Sequence, residues 1–198
     1  MATFGNLETE VEPLAGLIRE HTLVHGLVEA AREATEAALA SAGDPDREAA
    51  AFEHLRDLDA FLQVDLVIHI AKEEEALFPA LRGFAADIDK VVDEMVEQHD
   101  EVRLRKANIE RALAALDHSH EQVEAGRDAL ASALSRAAGG DGVEALTTLL
   151  DAVKRLDWIL QGHFGDEEDD LFVPALELLT PAQFAAMARQ CEAIEARV

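Results

Sequence analysis

His69-Ile70-Ala71-Lys72-Glu73-Glu74-Glu75-Ala76-Leu77-Phe78-Pro79-Ala80-Leu81 returns later in the chain as His163-Phe164-Gly165-Asp166-Glu167-Glu168-Asp169-Asp170-Leu171-Phe172-Val173-Pro174-Ala175-Leu176. Each copy places a glutamate four residues after a histidine and closes on Leu-Phe and a proline. Helix positions four apart share a face, about one turn from each other. His69 with Glu73, and His163 with Glu167, therefore present an imidazole nitrogen beside a carboxylate oxygen. Such a pair can grip one metal ion, or one ion of two. Imidazole and carboxylate without cysteine suit iron, manganese or zinc better than copper or an iron–sulfur cluster.

Both copies sit on long apolar stripes. A helix starting near Asp46, its expected N-cap, carries Leu55, Leu58, Leu62, Leu66, His69, Glu73 and Leu77 on one side, and Pro79 ends or kinks it. A later helix carries Leu149, Val153, Leu156, Leu160, His163, Glu167 and Leu171, with Pro174 closing it. Gly139-Gly140-Asp141-Gly142 before it reads as a loop. The first helix is expected from about Leu7 to Ser41, with a stripe of Leu14, Ile18, His21, His25 and Val28, and Gly43-Asp44-Pro45-Asp46 turns the chain after it. A third begins near Asp87, after Gly83. It embeds His99 among Val92, Met95, Val102, Ile109, Leu113 and Leu116, with Arg103 one turn beyond the histidine. Asp117-His118-Ser119-His120 reads either as a break or as an exposed turn of that helix. Thr180-Pro181 opens a last helix through Phe184, Met187 and Ile194, with Thr as N-cap and Pro in the first turn. The pattern predicts an all-α protein: an antiparallel up-down-up-down four-helix bundle with an additional C-terminal helix, a single domain over residues 1–198.

Composition agrees with helix: alanine, leucine and glutamate dominate, and tyrosine is absent. A formal net charge of −24 repels nucleic acid and anionic membranes, so neither is expected as a partner. Cys191 is the only cysteine, which excludes an intramolecular disulfide and fits a reducing compartment, the cytoplasm. No secretory signal and no apolar run long enough to span a bilayer is visible.

A lone histidine on an apolar face is more often a satisfied core residue, and a lone His-x-x-x-Glu pair more often serves surface hydrogen bonding. The combination argues otherwise. His21, His69, His99 and His163 fall on the stripes of four different helices, and Glu73 and Glu167 fall on two of them. Burying those carboxylates is costly, and a metal ion removes the cost. Glu74 and Glu168 are expected to accept hydrogen bonds from ligand imidazoles. Glu75, Asp169 and Asp170 read as a solvated face, His54 as the core margin, and His118 and His120 as solvated. His25 stays open between ligand, partner of a ligand and plain core residue.

Glu20-His21, His69-x-x-x-Glu73 with Leu77-Phe78-Pro79, Gln98-His99, and His163-x-x-x-Glu167 with Leu171-Phe172 and Pro174 together resemble the hemerythrin-like family, the HHE cation-binding domain. The resemblance implies a four-helix bundle holding two non-haem irons joined by an oxo or hydroxo bridge. Glu73 and Glu167 would bridge the irons, and His21, His69, His99 and His163 would be terminal ligands. Open positions would bind oxygen, peroxide or nitric oxide. Oxygen-carrying hemerythrins have a further histidine where this chain has Arg103, and a later aspartate where it has Glu167. Four histidines with two glutamates look more like the bacterial iron-centre repair proteins and the iron-sensing hemerythrin-like domains. The cysteine-bearing N-terminal extension of the repair proteins is absent. The expected function is a di-iron protein that binds or reacts with O2, peroxide or NO. Its alternatives are an iron- or oxygen-sensing module without turnover and a metal-free helical bundle; zinc or manganese in the same cage are the lesser choices.

Overall fold

Apolar residues spaced three and four apart make helices throughout the described chain, and no strand occurs among the described residues. A computed structural model describes residues 11–41, 43–125 and 141–197, with the backbone alone for 115–125 and 141–142. In order come α1 (Glu12–Ala40), α2 (Pro45–Gln63), α3 (Asp65–Lys72), a first π turn (Glu73–Leu77) and α4 (Phe78–Leu81). Then follow α5 (Ala86–Ala125), α6 (Asp141–Glu167), a second π turn (Glu168–Phe172), α7 (Val173–Leu178) and α8 (Pro181–Glu195). None of these helices is long and apolar enough to cross a membrane.

Several boundaries differ from expectation. The expected start of the first helix at Leu7 lies outside the described residues; α1 begins at Glu12, after Val11. The helix after the first turn is capped by Asp44 rather than Asp46. Asp44 Oδ1 accepts from the Asp46 and Arg47 amides at 3.1 and 3.4 Å, and Pro45 takes the first position, where no amide is needed. The single long helix expected through His69 breaks at Val64, whose amide bonds Phe61 C=O, three residues back. Neither glycine nor proline signals this break. Asp117–His120 continue α5, so there is no break, and the side chains of His118 and His120 lie outside the described residues. Of the expected glycine loop, Gly139 and Gly140 lie outside the described residues, while Asp141 and Gly142 already belong to α6. The left-handed backbone at Gly43 (φ 89°) and Gly83 (φ 86°) explains why glycine stands at those two turns.

The two prolines shape the repeated motif. Each lies two residues past a π turn, in which the amide of Phe78 bonds Glu73 C=O and that of Val173 bonds Glu168 C=O. A proline cannot donate to the carbonyl one turn back. The carbonyl so freed at Glu75 accepts instead from Gln190 Nε2 of α8. Widened turns of this kind often accompany functional sites.

Packing divides into two compact units. The first comprises Met1–His25, Phe61–Val102 and Ile159–Val198. Its core gathers Leu14, Leu17, Leu77, Phe78, Met95, Leu171 and Phe172, so the Leu-Phe pair of each motif copy is core. Here α8 packs on α3 and the first π turn. Its capping box pairs the Gln183 amide with Thr180 Oγ1 and the Thr180 amide with Gln183 Oε1. The second unit, Gly26–Ala60 and Arg103–Trp158, buries Val28, Leu55, Leu58, Ile109, Leu149 and Val153. Thr35, fully buried there, returns its hydroxyl to Ala31 C=O at 2.7 Å.

Leu55 is 0 % exposed and Leu104 is 51 % exposed. Leu55→Ala is expected to lower the unfolding free energy by about 2–5 kcal/mol, and Leu104→Ala by no more than about 0.5 kcal/mol. Urea unfolding followed by circular dichroism checks both, and equal costs would contradict this packing.

Candidate metal centre

Each stripe delivers its polar residues to one place in the first unit. His21 comes from α1, His69 from α3, Glu73 from the start of the first π turn, His99 from α5, and His163 and Glu167 from α6. All six are buried. His21, His69, Glu73 and Glu167 offer ligand atoms within 4.8 Å of one another, and Glu73, His99 and His163 do the same. Glu73 serves both groups with different oxygens: Oε1 lies 2.7 Å from His69 Nε2, and Oε2 lies 3.0 Å from His99 Nε2. Glu167 Oε2 is 3.4 Å from His21 Nε2, and the Nε2 atoms of His99 and His163 are 3.2 Å apart.

Apart from the contact between the Nε2 atoms of His99 and His163, this proximity is not hydrogen bonding. His21 Nε2, His69 Nε2 and all four oxygens of Glu73 and Glu167 are buried without a hydrogen-bond partner. His69 Nε2 and Glu73 Oε1 lie close together, yet their alignment makes no hydrogen bond. Donor atoms crowded around a common point and left unpaired are what a bound cation satisfies, so the residues fit a metal ion.

The far side of every imidazole is held. Nδ1–H of His21 donates to Glu168 Oε1 at 2.7 Å, that of His69 to Glu20 Oε2 at 2.8 Å, that of His99 to Glu74 Oε1 at 2.8 Å, and that of His163 to Gln98 Oε1 at 2.9 Å. These bonds close a ring: α1 holds the histidine of α3, the first motif copy holds that of α5, α5 holds that of α6, and the second copy holds that of α1. With Nδ1 committed as donor, Nε2 keeps its lone pair for the interior. The motif phenylalanines follow the same logic. Phe78 stacks on His99 at 5.7 Å, and Phe172 stacks on His21 at 5.8 Å. Phe164 also stacks on the His21 ring, at 3.8 Å. Behind Glu20 lies the buried ammonium of Lys72, 2.6 Å from Glu20 Oε1 and 2.6 Å from Glu195 Oε1 of α8.

Without a cation, protons fill the role. Burial disfavours a charged His69, but the closely placed Glu73 charge and the hydrogen bond to Glu20 outweigh it and push its pKa up to about 9. His21 and His99 rise likewise, against burial, through their carboxylates. Glu73 is also opposed by burial, yet the surrounding imidazoles hold it well below the ordinary range. Burial and the Glu73 charge push Glu167 up to about 7. Burial lowers His163 to about 3, and the charged neighbouring imidazoles add to it.

All six residues expected at the site are thus brought together, and Glu74 and Glu168 accept from imidazoles as expected. His25 joins neither donor group; it is half-buried with its ring 5.5 Å from Phe164. Arg103 is exposed. His54, expected at the core margin, is exposed instead, because its position one step off the Leu55 stripe turns it outward. Sequence reasoning missed Glu20 and Gln98 as acceptors. Their signal was their place immediately before His21 and His99, one step around the helix toward a neighbouring helix of the ring. Lys72 and Phe164 carried no separate signal.

The pKa shifts fix how the metal-free protein responds to alkali. His69, raised above its unfolded value, contributes stability that is fully present below pH 6.5 and lost as pH rises through about 9; His21 acts in the same direction. Glu167, raised to about 7, favours the fold while protonated and loses that contribution as pH rises through 7. Melting curves of the protein in chelator should show the midpoint falling from pH 6.5 to pH 9. A level or rising midpoint would contradict the proton-filled cluster.

A family model described as the hemerythrin HHE cation binding domain matches residues 12–117. That span exceeds half of the chain and holds His21, His69, Glu73 and His99; His163 and Glu167 lie beyond it, and the fold carries them to the same cluster. No curated protein and no solved structure matches the chain. By this match and by the His/Glu cluster built on it, the chain belongs to the hemerythrin HHE cation-binding domain family.

Proposed function

We propose that this chain is a non-haem di-iron protein that binds or reacts with a small ligand, O2, peroxide or NO. The observation that carries the reading is the set of six unpaired buried donor atoms enclosed by four imidazoles whose outer nitrogens are all occupied. His21 and His69 would hold one ion, His99 and His163 the other, with Glu73 and Glu167 between them. Iron there would supply reversible one-electron redox chemistry and open coordination positions for the ligand. The chain's own residues do the rest. Glu20, Glu74 and Glu168 increase the basicity of the imidazoles they hold. Phe78, Phe164 and Phe172 line the rings with apolar surface and exclude bulk water. In this reading the whole chain works as one domain, an antiparallel up-down-up-down bundle plus α8. It works in the reducing cytoplasm, with no nucleic-acid or membrane partner.

One observation favours the second reading, a sensing module without turnover. Helix α8 is tied to the first motif copy through Glu195–Lys72–Glu20 and through Gln190 to Glu75 C=O, and Arg197, just past the helix, pairs with the Glu75 carboxylate at 2.8 Å. Metal occupancy at His69 would then be felt by a surface helix that a partner can read.

Elemental mass spectrometry of the purified chain, with a visible spectrum before and after peroxide, tests the proposal. Two irons per chain are expected, and His69→Ala and Glu167→Ala should each lose metal while helicity survives. No metal, or metal that both variants retain, would contradict it. Turnover of peroxide or NO separates the reactive reading from the sensing one.

A further inference from the structure

Resting on the di-iron reading, we infer that the two cation positions are unequal and fill in order. The His21, His69, Glu73 and Glu167 position fills first, and the Glu73, His99 and His163 position second, with Gln98 setting the gap. The donor groups themselves differ: four residues bring ligand atoms within 4.8 Å of one another in the first, three in the second. Glu73 is common to both, and Glu167, though set between the two positions, lies closer to the first, its Oε2 being 3.4 Å from His21 Nε2. The outer partners differ too. Both imidazoles of the first position donate to carboxylates, His21 to Glu168 and His69 to Glu20. In the second, His99 donates to the Glu74 carboxylate but His163 to the neutral amide of Gln98. A carboxylate partner makes an imidazole a stronger donor to a cation than an amide does. Lys72 does not cancel this, because its ammonium is shared between Glu20 and Glu195, and the three groups together keep a negative charge. Gln98 is thus a positioning residue whose neutrality weakens one position. When metal is scarce the chain holds a single ion.

Anaerobic titration of the metal-free full-length chain with ferrous iron, followed by calorimetry and equilibrium dialysis, tests the order. Two stages of one ion each are expected, separated by about 10–100-fold in affinity. Gln98→Glu should tighten the second stage and narrow the gap while leaving the first unchanged. Glu74→Gln should weaken the second stage alone, and Glu168→Gln the first. Circular dichroism on each variant confirms retained helicity. Two indistinguishable ions in a single stage, or a Gln98→Glu effect confined to the first stage, would overturn this inference and leave the di-iron reading standing. No bound iron at all would overturn both.

Discussion

Two carboxylates, Glu73 and Glu167, sit fully buried without a hydrogen-bond partner, and much of the first unit is arranged around that fact. An isolated buried carboxylate costs several kcal/mol after relaxation. Four imidazoles surround the pair, and in the metal-free state their protons offset part of that charge. The compromise is imperfect: Glu167 is driven toward its neutral form and His163 is kept from charging. A cation suits the same atoms better, because it needs lone pairs and no protons. Its binding free energy would then add directly to folding free energy.

The surrounding architecture makes the cluster rigid. Each helix that supplies a histidine also supplies, one or a few residues away, the acceptor for a histidine on another helix. Orientation of the rings is therefore a property of the closed ring of helices rather than of any one of them. The proline-linked π turns belong to the same construction, since the first begins at Glu73, the second directly after Glu167, and the Leu-Phe pairs at their ends are core. The symmetry is incomplete at Gln98 and at Lys72, so the two halves of the motif, though alike in sequence, are chemically different.

The donors were legible in the sequence because a helix places every third or fourth residue on one face, and polar residues on an apolar stripe stand out. His21, His69, His99, His163, Glu73 and Glu167 all met that test. Glu20 and Gln98 did not, since half-buried polar residues beside a stripe look like ordinary surface until the neighbouring helix is in place. Lys72 was hidden for the same reason: its burial depends on Glu195, more than a hundred residues away. The break at Val64 has no local punctuation and arises only in the folded chain. His25 shows the limit of the stripe argument, because its position allowed a ligand but its ring meets Phe164 instead.

If the cluster is a metal centre, its unpaired atoms converge on the bound ions. The most direct measurement is anomalous diffraction at the iron edge from crystals of the iron-loaded chain. Anomalous peaks are expected at direct coordination distance from the Nε2 atoms of His21, His69, His99 and His163 and from oxygens of Glu73 and Glu167. Iron bound elsewhere on the acidic surface, with no peak at these residues, would contradict a metal centre in the cluster.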